Sequence, residues 1–127
     1  MPNSVKSIGN YSFYQCSSLT KAVISDSVKK IGDYSFYNCE LFHEFVIPNS
    51  VKSIGKYSFG NCSSLKEIKL NEASISNSVF LMGDHSFADC SSLEKITINP
   101  YTTKFGDAPF INCDKLRQTS RIRLQRI

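Results

Sequence analysis

No stretch of the sequence reaches the ~18 consecutive apolar residues that a membrane-spanning helix needs. The first residues, Met1-Pro2-Asn3-Ser4-Val5-Lys6, lack the apolar segment of a secretory signal. The expectation is a protein that stays inside a cell, or a fragment without its leader. Charge of one sign is also scarce: fifteen Lys and Arg stand against eleven Asp and Glu, a formal +4. Lys115, Arg117, Arg121, Arg123 and Arg126 supply +5, so the rest of the chain sums to −1. The body is near neutral, and the basic character belongs to a tail. Cysteines are present, but no pair has the C-x-x-C spacing of a metal knuckle. Their number, five, is odd, where an oxidised extracellular framework favours an even one.

What is there is a repeat. Val5-Lys6-Ser7-Ile8-Gly9-Asn10-Tyr11-Ser12-Phe13 returns as Val28 to Phe36, and at the same interval again as Val51 to Phe59. A fourth copy, Val79 to Phe87, comes after a longer interval, so five residues have been inserted before it. A fifth, Thr102 to Phe110, resumes the original period in weaker form. Four columns run through every copy: Gly9, Gly32, Gly55, Gly83 and Gly106; Phe13, Phe36, Phe59, Phe87 and Phe110; Cys16, Cys39, Cys62, Cys90 and Cys113; and Leu19, Phe42, Leu65, Leu93 and Leu116.

After each cysteine the chain alternates: Leu19-x-x-Ala22-x-Ile24, Phe42-x-x-Phe45-x-Ile47, Leu65-x-x-Ile68-x-Leu70, Leu93-x-x-Ile96-x-Ile98. The last two members of each set face one side of a strand, and their neighbours face the other. Pro48 and Pro100 end the strand and turn the chain. One copy cannot fold alone. Its core residues contribute roughly 1.5–3 kcal/mol each, against about 1–2 kcal/mol of backbone entropy for every ordered residue. Stacked copies bury both faces of each coil and pair their strands about 4.8 Å apart.

The run Ile47-Pro48-x-Ser50-Val51-x-x-Ile54-Gly55-x-x-Ser58-Phe59-x-x-Cys62-x-x-Leu65 resembles the BspA-like, or Treponema-type, leucine-rich repeat, and the resemblance covers residues 2 to about 116. It implies a secreted or cell-surface protein, adhesion to host cells or matrix proteins, and protein–protein binding generally. The chain departs from the family pattern in carrying Ser12, Ser35, Ser58 and Ser86 where Ala is usual.

Several patterns suggest chemistry, and the period answers most of them. The cysteines read as a column of buried free thiols, with inter-coil disulfides as the alternative and metal binding as a third. Asp84-His85-Ser86 holds the residue types of a hydrolase triad, yet His85 only continues the column of Tyr11, Tyr34 and Tyr57, and contiguous residues do not converge on one atom. The expectation is no enzyme, no cofactor and no small-molecule substrate. His43 falls on an exposed polar position. The glycines suit a turn needing positive φ. The column Gln15, Asn38, Asn61, Asp89 and Asn112 is expected to satisfy backbone groups of neighbouring coils. Asn10-Tyr11-Ser12 and Asn61-Cys62-Ser63 match the glycosylation pattern, but both lie inside the repeat.

The outward face of the strands is the candidate binding site: Lys21, Glu44, Glu67 and Lys95 in one column, Val23, Val46, Lys69 and Thr97 in the next. Its mixed charge fits a protein partner better than a polyanion. Tyr14 and Tyr37, the inserted segment 71–77 and the basic tail are lesser candidates. The tail reads either as a nucleic-acid patch or as a worn final strand with Ile122 and Leu124 inward.

The expected fold is a right-handed leucine-rich repeat solenoid of about five 23-residue coils, with a parallel β-sheet on one side and little helix. The solenoid spans 1–116, in coils near 2–24, 25–47, 48–70, 71–98 and 99–116, and 117–127 is a basic degenerate last strand or tail. The expected function is non-enzymatic protein binding, by resemblance that of a surface adhesin or a fragment of one. An intracellular scaffold is the alternative, and nucleic-acid binding through the tail a third. Self-association through uncapped ends is a further expectation.

Overall fold

The computed structural model describes residues 1–70, 80–98, 103–119 and 122–124. Over them the chain is a β-solenoid built from two parallel sheets. Short strands β1 (Ser7–Ile8), β2 (Lys30–Ile31), β4 (Ser53–Ile54), β6 (Phe80–Met82) and β8 (Thr103–Phe105) form one sheet in that order. Longer strands β3 (Glu44–Ile47), β5 (Glu67–Leu70), β7 (Lys95–Ile98) and β9 (Ile122–Leu124) form the other. The Val-x-x-Ile half of each repeat therefore builds a sheet of its own. The register holds across the insertion: Ser53 pairs with Leu81 and Glu67 with Lys95, both spanning the longer interval. The extra residues are absorbed between β5 and β6, and the inserted segment 71–77 itself lies outside the described residues.

The core is the set of columns read from the sequence. Phe13, Phe36, Phe59, Phe87 and Phe110 stack ring on ring, with centroids 5.0, 5.0, 5.1 and 5.7 Å apart. That spacing follows the pitch between strands. Ile8, Ile31, Ile54 and Met82 line the inner side of the short-strand sheet, and Phe45, Ile68 and Ile96 that of the long-strand sheet.

Each cysteine after the first has a specific reason to be there. The thiols of Cys39, Cys62, Cys90 and Cys113 donate to the carbonyls of Phe13, Phe36, Phe59 and Phe87 in the preceding coil, at 3.1–3.2 Å. All five cysteines are free thiols. Burial raises the Cys39 thiol from the usual 9.0 to about 11, and pushes Cys62 and Cys90 further in the same direction. The serines of the neighbouring column fare differently. Ser12 donates to the Gly9 carbonyl at 2.6 Å, whereas the buried hydroxyls of Ser35, Ser58 and Ser86 have no hydrogen-bond partner among the described residues.

Three expectations need correction. No glycine has positive φ. Glycine is required instead because the coils touch backbone to backbone there: a Cβ on Gly83 would stand 2.6 Å from the Gly55 carbonyl carbon and 2.8 Å from the Ile54 oxygen. The left-handed positions form two other columns, at Tyr11, Tyr34, Tyr57, His85 and Ala108 and at Gln15, Asn38, Asn61, Asp89 and Asn112. Asn and Asp tolerate that conformation better than most residues.

The second correction concerns what the polar column bonds to. Asn61 donates to the Asn38 side chain at 2.7 Å and Asn112 to that of Asp89 at 2.9 Å, so these side chains ladder with one another. The backbone N–H groups of Gln15, Asn38, Asn61 and Asp89 are satisfied by carbonyls of the next coil.

Third, no strand forms over residues 21–24. The ladder reaches the first coil through the His43 N–H to the Thr20 carbonyl, 3.1 Å, and goes no further. Ala22 stands where the other coils place Phe45, Ile68 and Ile96, and it buries too little apolar area to hold the segment down.

A six-residue helix, α1 (Asp114–Thr119), follows the last cysteine. Three of the four earlier coils have turn-forming pairs there, Ser17-Ser18, Ser63-Ser64 and Ser91-Ser92, and the second has Glu40-Leu41. Asp114 instead puts an acid in the first helical turn, with Leu116, Arg117 and Gln118 as good helix formers behind it. The helix crosses residue 116, and β9 then pairs with β7. Among the described residues no helix is long and apolar enough to cross a membrane.

Candidate functional site

The outward face of the long-strand sheet is a set of straight rows. In β3 burial alternates, with Phe45 and Ile47 inside and Glu44 and Val46 outside. Parallel pairing sets Glu44 beside Glu67 and Glu67 beside Lys95, then Val46 beside Lys69 and Lys69 beside Thr97. Glu67 lies between two cations, 3.6 Å from the Lys95 ammonium and 3.9 Å from that of Lys69. Such exposed pairs stabilise little; they fix a pattern of charge instead. Val46 remains 44% exposed beside them.

Six of the eight sequence-predicted positions are thus brought together, Thr97 being placed by its backbone. Lys21 and Val23 are not, because their segment forms no strand. Val23 is 72% exposed and stands off the ladder. His43 is exposed, as its column predicts.

Residues 84–86 do not assemble a triad. The Asp84 carboxylate accepts the Asp107 backbone N–H at 2.7 Å, the His85 ring contacts the Ala108 carbonyl at 3.2 Å, and Ser86 is buried. The two glycosylation matches are occupied as well. Asn10 accepts the Asp33 N–H at 2.7 Å, and the Asn61 amide is held by Asn38.

A second surface is more pronounced than the sequence suggested. Tyr11, Tyr34 and Tyr57 stack at 5.2 and 5.1 Å, and His85 continues the column 5.0 Å beyond Tyr57. Tyr14 and Tyr37 stack beside them at 5.6 Å, and the two columns meet edge-on, as at Tyr11–Tyr14, 5.3 Å and 67°. Tyr11 and Tyr14 are exposed, and the other three tyrosines are half-buried. Desolvation, followed by the surrounding phenols, raises the Tyr34 pKa. The column of Tyr11, Tyr34 and Tyr57 was visible in the sequence; its exposure was not, since that depends on the left-handed backbone.

A profile of the BspA type leucine-rich repeat region matches residues 1–117 in six copies. No curated protein sequence matches the chain. Among solved structures, a leucine-rich repeat protein from Bacteroides ovatus is 32% identical, with a TM-score of 0.78, over 94% of this chain and 29% of that one. One from Eubacterium ventriosum is 28% identical with a TM-score of 0.81, over 97% of this chain and 31% of that one. A Treponema pallidum leucine-rich repeat protein, 21% identical, shares the fold with a TM-score of 0.81, over 96% of this chain and 64% of its own. The chain therefore spans less than two thirds of the length of each of these relatives. It belongs to the BspA-type leucine-rich repeat family, whose fold serves typically as a non-enzymatic, protein-binding scaffold.

Proposed function

We propose that the chain binds a protein partner through the outward face of the long-strand sheet. Glu44, Val46, Glu67, Lys69, Lys95 and Thr97 supply the contacts, and the parent protein acts as an adhesin-like surface protein on host or matrix proteins. The observation that carries this reading is the row of both charge signs on β5 and β7 with an exposed Val46 at its edge, on β3. An interface needs an apolar centre with oriented charges at its rim, and the ladder holds these side chains in register before a partner arrives. An intracellular scaffold would use the same face and differ in where the parent protein resides.

The tyrosine surface is the second reading, because tyrosine is enriched among residues that dominate binding energy and five of them form one surface array. One experiment separates the two. Host-cell surface and matrix proteins are captured by the native chain, by a Glu44→Lys, Glu67→Lys, Lys95→Glu variant, and by a Tyr11→Asn, Tyr14→Ser variant, after circular dichroism shows that all fold. A partner lost by the charge variant alone supports the sheet. One lost by the tyrosine variant alone moves the site there, and equal capture by all three rejects both surfaces.

A further inference from the structure

Away from this face, Lys6, Lys29 and Lys52 occupy the same place in three successive coils. They are stacked directly: the Lys29 N–H donates to the Lys6 carbonyl and the Lys52 N–H to the Lys29 carbonyl, both at 2.8 Å. Their side chains leave the backbone about 4.8 Å apart, the pitch between parallel strands. Lys30 adds a fourth charge at the outward position of β2, paired to Ser7 and Ser53. Lys6, Lys29 and Lys30 are exposed, and Lys52 is half-buried.

No ion pair among the described residues reaches any of the four, since those present engage Lys69, Lys95 and Lys115. The Lys52 ammonium has only a long contact to the Asn49 carbonyl, 3.4 Å. The Asp33 carboxylate, in the same coil as Lys29, accepts the Lys56 backbone N–H. Like charges set side by side on neighbouring strands repel. Protection of a sheet edge explains Lys6, which flanks the edge strand β1, but not Lys29 and Lys52, whose coils lie inside the stack.

We propose that this row binds a linear sulfated polysaccharide. The cations repeat in a straight line at about the advance of one sugar residue, so successive sulfates can meet successive ammonium groups. One observation favours sulfated sugar over nucleic acid: the tyrosines are packed against each other, not spaced to receive bases between them. The row ends at Phe80, which the register places after Lys52 and which is buried, so the site is three coils long. The proposal goes beyond the sheet-face reading and does not depend on it.

The test is calorimetric titration of the full chain with a heparin oligosaccharide, its desulfated counterpart and single-stranded oligo(dT). A Lys6→Gln, Lys29→Gln, Lys52→Gln variant is compared with the native chain; both keep the basic tail, so the tail cancels. The native chain is expected to bind heparin. The variant is expected to bind it at least about tenfold more weakly, with a salt dependence flattened by roughly one counterion for each lysine removed. Should the triple variant misfold, the exposed single changes Lys6→Gln and Lys29→Gln each carry part of the loss. Equal heparin affinity in native chain and variants, equal affinity for the desulfated sugar, tighter binding of oligo(dT), or no heparin binding at all would each overturn the proposal.

Discussion

Two aromatic columns run through the solenoid, two residues apart in sequence and nearly identical in spacing. The phenylalanines stack 5.0–5.7 Å apart and the tyrosines 5.1–5.2 Å apart. Phe36, Phe59 and Phe87 are wholly buried, yet Tyr11 is 55% exposed. On a strand, residues two apart would share a face. Here Tyr11, Tyr34, Tyr57 and His85 have φ of 53–62°, and that left-handed turn directs their rings away from the column two residues on. The pitch of the coil sets how closely rings stack, and the local backbone sets whether they stack in the core or in water.

The largest test of this contrast is Phe59→Ala against Tyr11→Ala in urea unfolding. The first is expected to cost ~3–5 kcal/mol, as an emptied ring site in a packed core does, and the second less than ~1 kcal/mol. Similar losses would break the comparison. Gly83→Ala should follow at about 1–3 kcal/mol, because the added methyl meets the backbone of the preceding coil. A neutral result would mean the coils can separate locally.

The thiol column gives a pH test. In the folded chain Cys39 holds its proton up to about 11, while the unfolded thiol ionises near 9.0. Between those values the folded state binds more protons, so stability falls as pH rises and is unaffected at neutral pH. The Cys39 contribution to that fall is on the order of 2 kcal/mol, and Cys39→Ala should flatten it in a melting series across that window. An unchanged slope would mean that the thiol is not shielded. The smallest expected effect has the opposite sign. Ser58→Ala removes a buried hydroxyl without a partner and should stabilise by about 1 kcal/mol; a loss would reveal that the hydroxyl is bonded after all.

Much of the fold was legible because the repeat writes each contact several times. Phe, Cys and Leu columns at a fixed interval can be buried together only if the coils stack, so the solenoid and its inner face follow from spacing alone. The candidate face was legible to the same degree, since alternation in Glu44-Phe45-Val46-Ile47 assigns inside and outside. It failed at Lys21 and Val23, because Ala22 makes the pattern apolar without making it large. The glycines were read correctly as structural but for the wrong cause: a position that needs no Cβ looks the same whether the reason is φ or a neighbouring chain.

The sequence by itself determined the repeat length, the family, the residues that turn inward and the rows that neighbouring coils must form. These depend on periodicity, which one chain displays without reference to any contact. Tertiary structure alone decided that the Val-x-x-Ile segments make a second sheet and that the tyrosines lie outside and the phenylalanines inside. It also brought Lys6, Lys29 and Lys52, each one repeat from the next, into one line that no ion pair reaches among the described residues. Those outcomes depend on backbone turns and on what stands beside each side chain, and both are properties of the stacked coil.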